Sequence, residues 1–182
     1  MTKDSPVQSK LPIFAIFCAC LISLLAFGPR SSMGFFQLPM LQDTGWDRTT
    51  FGMAMALQNL CWGLGQPLFG IIADKFGTWR VMALGAVLYA LGLLMMAIAP
   101  SPMWLHIGGG ILLGLGVAAC SFGVVLASIA RLVSAEKRSF AFGLGTAAGS
   151  AGMFLFAPIS QGLIDALGWS DSLITLAIIM LA

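Results

Sequence analysis

Gly70-Ile71-Ile72-Ala73-Asp74-Lys75-Phe76-Gly77-Thr78-Trp79-Arg80 is a short polar knot between two long apolar stretches. Residues 50–73 before it and 81–130 after it contain no Asp, Glu, Lys or Arg. A chain uncharged for that long on both sides of a charged turn is leaving hydrocarbon and re-entering it, because a helix satisfies its own backbone polar groups and a loop does not. The knot reads as the turn of a transmembrane helical hairpin. Gly77 supplies the permissive backbone such a turn needs. Gly70 is expected to let the preceding helix approach a neighbour closely, and Asp74 to meet a cation or the N-terminus of a facing helix.

Composition agrees with a membrane class. Of 182 residues 59% are hydrophobic and 9% charged, whereas a soluble domain carries about a quarter charged residues, so a soluble globular class is excluded. The net charge of +2 comes from scattered basic residues, which argues against a nucleic-acid partner. Cys18, Cys20, Cys61 and Cys120 lie inside apolar segments without Cys-x-x-Cys spacing; they read as buried small hydrophobes rather than a metal site or disulfide frame.

Read outward from the knot, the chain is an all-α polytopic membrane protein. A polar leader, residues 1–10, precedes helices expected over about 11–40, 49–73, 79–99, 103–129 and 139–167, with an incomplete one over 171–182. Lys3 and Lys10 before an apolar run could open a signal peptide, but more membrane segments follow instead of a soluble domain. The first helix is broken in character by Gly28-Pro29-Arg30-Ser31-Ser32. The last is too short to cross a bilayer, which needs about twenty residues, so the chain is expected to be truncated within a sixth helix.

Basic residues set the orientation. A cytoplasmic N-terminus places Lys3, Lys10, Lys75, Arg80, Arg131, Lys137 and Arg138 inside and only Arg48 outside, leaving Arg30 within the membrane. Helices 103–129 and 139–167 are rich in small residues. Gly110 and Gly114, like Gly145 and Gly149, are four apart, and Gly152 follows, a spacing that bares backbone on one face for close packing. Static packing is the primary reading, with sliding of the helices past one another as its consequence.

The run Gly-x-x-x-Asp-Lys-x-Gly-x-x-Arg, residues 70–80, resembles the loop between the second and third helices of major facilitator superfamily transporters. Thr78 and Trp79 stand where that family usually has a second basic residue, and Arg80 carries the charge one step on. The resemblance implies an N-terminal six-helix bundle whose partner, a C-terminal half-bundle, is missing from the chain, with Gly70, Asp74, Lys75, Gly77 and Arg80 as a gating loop. Arg138-Ser139-Phe140-Ala141-Phe142-Gly143, Gly149, Gly152, Pro158 and Gly168-Trp169 resemble the bacterial monocarboxylate and oxalate/formate carrier branches. Gly110 stands where drug and sugar carriers often have an arginine ahead of the Gly-x-Gly at Gly114 and Gly116.

Arg30 is the leading site candidate. An arginine within a membrane span costs several kcal/mol unless it faces a cavity or an anion, and no acidic residue lies in the interior of any expected helix to pair with it. Its planar fork of donors suits the two oxygens of a carboxylate. Gly28-Pro29-Arg30-Ser31 with Phe35-Phe36 also resembles the Pro-Lys-Ser and Phe-Phe run of monocarboxylate carriers, whose basic residue lines the substrate path. The competing arrangement ends the first helix near Phe27 and lets Arg30 snorkel at the outer interface, exposing the apolar strip 33–41. Gln37 lies seven residues, two turns, from Arg30, and Asn59 and Gln66 bear the same relation in the second helix; all three are second candidates for substrate binding. His106, near the outer end of the fourth helix, reads as interfacial.

No nucleophile elbow, zinc motif, phosphate-cradling loop or intramembrane carboxylate pair is present, so no enzyme activity, cofactor or metal is expected. The function expected is secondary active transport of small organic anions, monocarboxylates or dicarboxylates, by alternating access in a bacterial inner membrane. Proton or counter-anion coupling is possible chemistry for such a carrier. The same fold carrying neutral or cationic drugs, and a non-transporting membrane module that packs with a partner, are the alternatives.

Overall fold

The computed structural model describes residues 13–133 and 135–181, with all their side chains except those of residues 15 and 128–132. The leader 1–10 and the side chains of Ser128 and Arg131 therefore lie outside the described residues. The described chain is helical throughout: α1 (Ile13–Ser31), α2 (Met33–Thr44), α3 (Arg48–Phe76), α4 (Thr78–Ala97), α5 (Pro102–Leu105), a π-helical segment (His106–Leu112), α6 (Leu113–Ala119), α7 (Phe122–Leu132), α8 (Ala135–Leu167) and α9 (Trp169–Leu181). Four stretches among them are long and apolar enough to cross a bilayer: Ile16–Thr44, Thr78–Ala97, Pro102–Ala127 and Ala135–Leu167. The 29 residues of α3 span about 44 Å but include Gln58, Asn59 and Gln66. The 13 residues of α9 span only about 20 Å.

Sequence chemistry explains where the rods end. Gly45, Gly77 and Gly168 are the positive-φ residues among those described, and each closes a helix. Gly77, at φ +93°, donates its N–H to the Ala73 carbonyl at 3.0 Å, turning α3 into α4. The knot is therefore a tight hairpin. A Cβ at Gly70, however, would meet nothing within 4 Å, so the close approach expected there is not made within this bundle. The apolar side chains around it, Phe76 and Trp79, are exposed, and Lys75 Nζ and Arg80 Cζ lie 5.3 and 5.5 Å from their ring centroids.

Three expected helices differ in the structure. The first does not stop near Phe27, nor at residue 40: it continues through a single turn at Ser32 to Thr44, and buries Met33, Phe36 and Met40 in the main core. Pro29 withdraws one backbone donor, while the Ser31 and Ser32 hydroxyls donate to the Gly28 and Pro29 carbonyls at 2.7 and 2.8 Å, so the bend keeps its polar groups paired. The fourth is not one rod over 103–129. Three consecutive glycines widen it into the π segment, and it breaks again at Cys120-Ser121 before α7. The fifth begins at Ala135 rather than near 139.

α1 packs along α8, α3 lies against the π segment and α6, and α4 sits between those and α9. Gly110 and Gly114 fit beneath α3: a Cβ on Gly114 would sit 2.6 Å from the Gln58 carbonyl oxygen, and one on Gly110 2.9 Å from Leu57 Cβ. In α8, a Cβ on Gly149 would strike the Phe122 ring at 2.5 Å, and one on Gly152 would run into the Leu24 backbone; Gly145 is buried on the same face. The stripe of small residues is thus a packing surface. Outward-facing Phe14, Phe17, Leu64, Ile71 and Phe154 give the bundle an apolar exterior.

Candidate functional site

The polar centre of this apolar bundle is built where α1 meets α3. Ser23, Phe27 and Arg30 fall on one α1 face by their spacing, and Met55, Asn59, Trp62 and Gln66 on one α3 face. Phe27, 3% exposed, fixes the crossing: its ring stacks on Phe122 of α7 at 4.3 Å and meets Trp62 edge-on at 6.1 Å. One turn further, at the C-terminal end of α1, stands Arg30. The carbonyl end of a helix favours a cation, a modest term of about 0.3–1 kcal/mol.

Arg30 is half-buried and its described partners carry no negative charge. Its Nη2 donates to Asn59 Oδ1, and its guanidinium carbon lies 4.3 Å from the centre of the Trp62 ring. Asn59 Nδ2 in turn donates to the Met55 carbonyl at 2.8 Å, which orients the amide with its oxygen toward Arg30. Arg30 Nε is buried with no acceptor among the described residues. A cation–π contact contributes about 0.5–2 kcal/mol and a hydrogen bond from a charged donor about 1.5–3, while each buried unpaired donor costs about 1–3. The neighbourhood tolerates the guanidinium without neutralising it. Trp62 Nε1 and the Ser23 and Ser121 hydroxyls are likewise buried without described partners. Tyr89, 0% exposed, is within electrostatic reach of Arg30.

The structure thus brings together two of the four expected substrate-binding residues, Arg30 and Asn59. Gln66 shares the α3 stripe but hydrogen-bonds no described residue, and Gln37, half-buried on α2, does not either. The two-turn spacing between Arg30 and Gln37 is interrupted by the turn at Ser32, and no hydrogen bond joins them among the described residues. Gln58, beside Asn59, faces the opposite way and donates to the Gly109 carbonyl at 3.0 Å, tying α3 to the π segment. His106 Nε2 lies 3.1 Å from the Thr50 carbonyl, a strut between the ends of two helices rather than part of the site. Trp62 and Tyr89 escaped a reading that looked for charged and amide groups; the signals were an aromatic midway between Asn59 and Gln66, and the chain's single tyrosine in an uncharged run. Apolar cavities lie elsewhere, one lined by Ile22, Leu25, Met82, Ala86, Cys120 and Met180, and offer nothing to an anion.

The profile of the Major Facilitator Superfamily matches residues 15–182, and the chain belongs to that family of membrane transporters, which is not a family of enzymes. It is similar to mouse Monocarboxylate transporter 11, 32% identical over 165 residues that cover 86% of this chain and 35% of that protein. An uncharacterised transporter of the same superfamily from Bacillus subtilis, YcxA, is 29% identical over 153 residues, covering 84% of this chain and 37% of its own. Human Monocarboxylate transporter 11 is 32% identical over 140 residues, covering 77% and 28%. The chain spans about a third of the length of the curated relatives it matches.

Proposed function

We propose that this chain is the N-terminal half-bundle of a secondary carrier for small organic anions, monocarboxylates or dicarboxylates, working by alternating access against a C-terminal half-bundle. The observation that carries the reading is Arg30: a guanidinium inside an apolar bundle, held by a neutral amide and an aromatic face, with one donor left over. A cation so placed attracts a carboxylate and repels other cations. The names of the relatives point to the same cargo class. Asp74, Lys75 and Arg80 at the α3–α4 hairpin act as the cytoplasmic latch, with the N-terminus on that side of a bacterial inner membrane; coupling is to a proton or a counter-anion. The test is uptake of labelled acetate, pyruvate, malonate and oxalate by the full-length protein in proteoliposomes. Arg30→Gln abolishes uptake on this reading. Undiminished carboxylate uptake by Arg30→Gln overturns it and leaves the carrier of neutral or cationic compounds.

A further inference from the structure

We infer that Asn59 is a neutral place-holder on the anion site, seated on one half of the Arg30 donor edge and displaced when a carboxylate takes both halves. This rests on the reading of Arg30 as the anchor for cargo. A guanidinium offers two-donor edges, and Nε–H and one Nη2–H point the same way along one of them, matched in spacing to the two oxygens of a carboxylate. In the structure the nitrogen at one end of that edge, Nη2, donates to Asn59 Oδ1, whereas the one at the other end, Nε, has no acceptor among the described residues. A single amide oxygen meets two parallel donors less well than the paired oxygens of a carboxylate, and here it takes only Nη2.

Trp62 covers one face of the guanidinium, and Nε is buried, so a carboxylate reaches the Nε/Nη2 edge only by moving the side chain that Nη2 holds. Asn59 is exposed and anchored otherwise only by a hydrogen bond to its own helix, at the Met55 carbonyl, so its side chain can turn aside without unpacking the core. The residue type fits the role as well. An aspartate here would satisfy both donors and the charge, and would compete with cargo on equal terms; an alanine would leave both donors bare. The amide keeps the edge partly satisfied when empty and yields to a full negative charge, making Asn59 a specificity residue that favours carboxylates over neutral acceptors.

The experiment measures binding of acetate, pyruvate, malonate and oxalate, each beside its neutral amide, to the purified full-length protein, together with thermal stability in the absence of ligand. Asn59→Asp is expected to raise the melting temperature of the empty protein and to weaken binding of the best-bound carboxylate at least tenfold. Asn59→Ala is expected to bind it within threefold of wild type or more tightly, and Arg30→Lys, which keeps the charge but lacks the two-donor edge, to bind it at least tenfold more weakly. Wild-type affinity in Asn59→Asp, or loss of binding in Asn59→Ala, overturns the place-holder; should Asn59→Asp not accumulate, the Asn59→Ala and Arg30→Lys results decide. Retained binding in Arg30→Gln, or no carboxylate binding by wild type, instead overturns the anchor reading beneath it.

Discussion

Trp62 shows how one side chain can make a membrane-embedded cation tolerable while leaving it usable. Its ring faces the Arg30 guanidinium at 4.3 Å, and a contact of that kind contributes about 0.5–2 kcal/mol. Trp62→Ala is therefore expected to weaken carboxylate binding about 3- to 30-fold, with Trp62→Phe recovering part of the loss, as read by titration of the purified carrier. Tyr89 poses a different question, because its buried hydroxyl meets the backbone of Arg30. Losing a buried hydrogen bond of this kind costs about 0.5–1.5 kcal/mol, so Tyr89→Phe is expected to melt modestly lower than wild type. A simultaneous fall in carboxylate affinity would identify that hydroxyl as a ligand for cargo. Arg30 was visible in the sequence as a lone charge in a span, and Asn59 as a candidate beside it; Trp62 was not, since nothing in a linear string says which ring folds over a cation.

At the scale of elements, glycine decides how closely helices meet. The four-residue spacing of Gly110 and Gly114 marked a packing face before any coordinates, and the structure puts α3 directly on it. Gly114→Val would drive a side chain into the Gln58 carbonyl, and overpacking of this kind costs about 1–3 kcal/mol, to be seen as a lower melting temperature in detergent. Gly143→Ala, where a Cβ meets nothing within 4 Å inside a helix, should not lower it. Gly77→Ala is expected to cost about 1–3 kcal/mol for a different reason, since its φ of +93° is strained for any side chain. The π segment and the break at Cys120-Ser121 were not legible, because the same glycines that signal packing also loosen the hydrogen-bond ladder, and only the neighbours decide which effect prevails. Gly92 supplies that neighbour: a Cβ there would lie 2.7 Å from the Gly108 carbonyl oxygen, so α4 presses on the widened turn.

For the whole molecule, the bundle places its hairpins alternately at its two ends, and the basic residues give those ends a polarity. In the full-length protein with its native cysteines replaced, Glu136→Cys is expected to react with an impermeant maleimide only from the cytoplasmic side and Gln42→Cys only from the opposite side; the reverse pattern would invert the orientation. Asp74→Asn is expected to lower turnover while leaving the amount of protein in the membrane intact, because the residue sits at an exposed turn and packs no core. Quantitative immunoblotting beside uptake checks this, and loss of the protein itself would make the turn purely structural. Charge-free runs, glycine spacing and the placement of Lys and Arg are properties of the chain taken locally, and they alone determined the helical membrane class, the family and the suspicion of Arg30. Which groups surround that arginine and where the fourth helix widens were decided only by tertiary structure. Both depend on contacts between residues of different helices, well separated in the chain, and those exist only once the helices have packed.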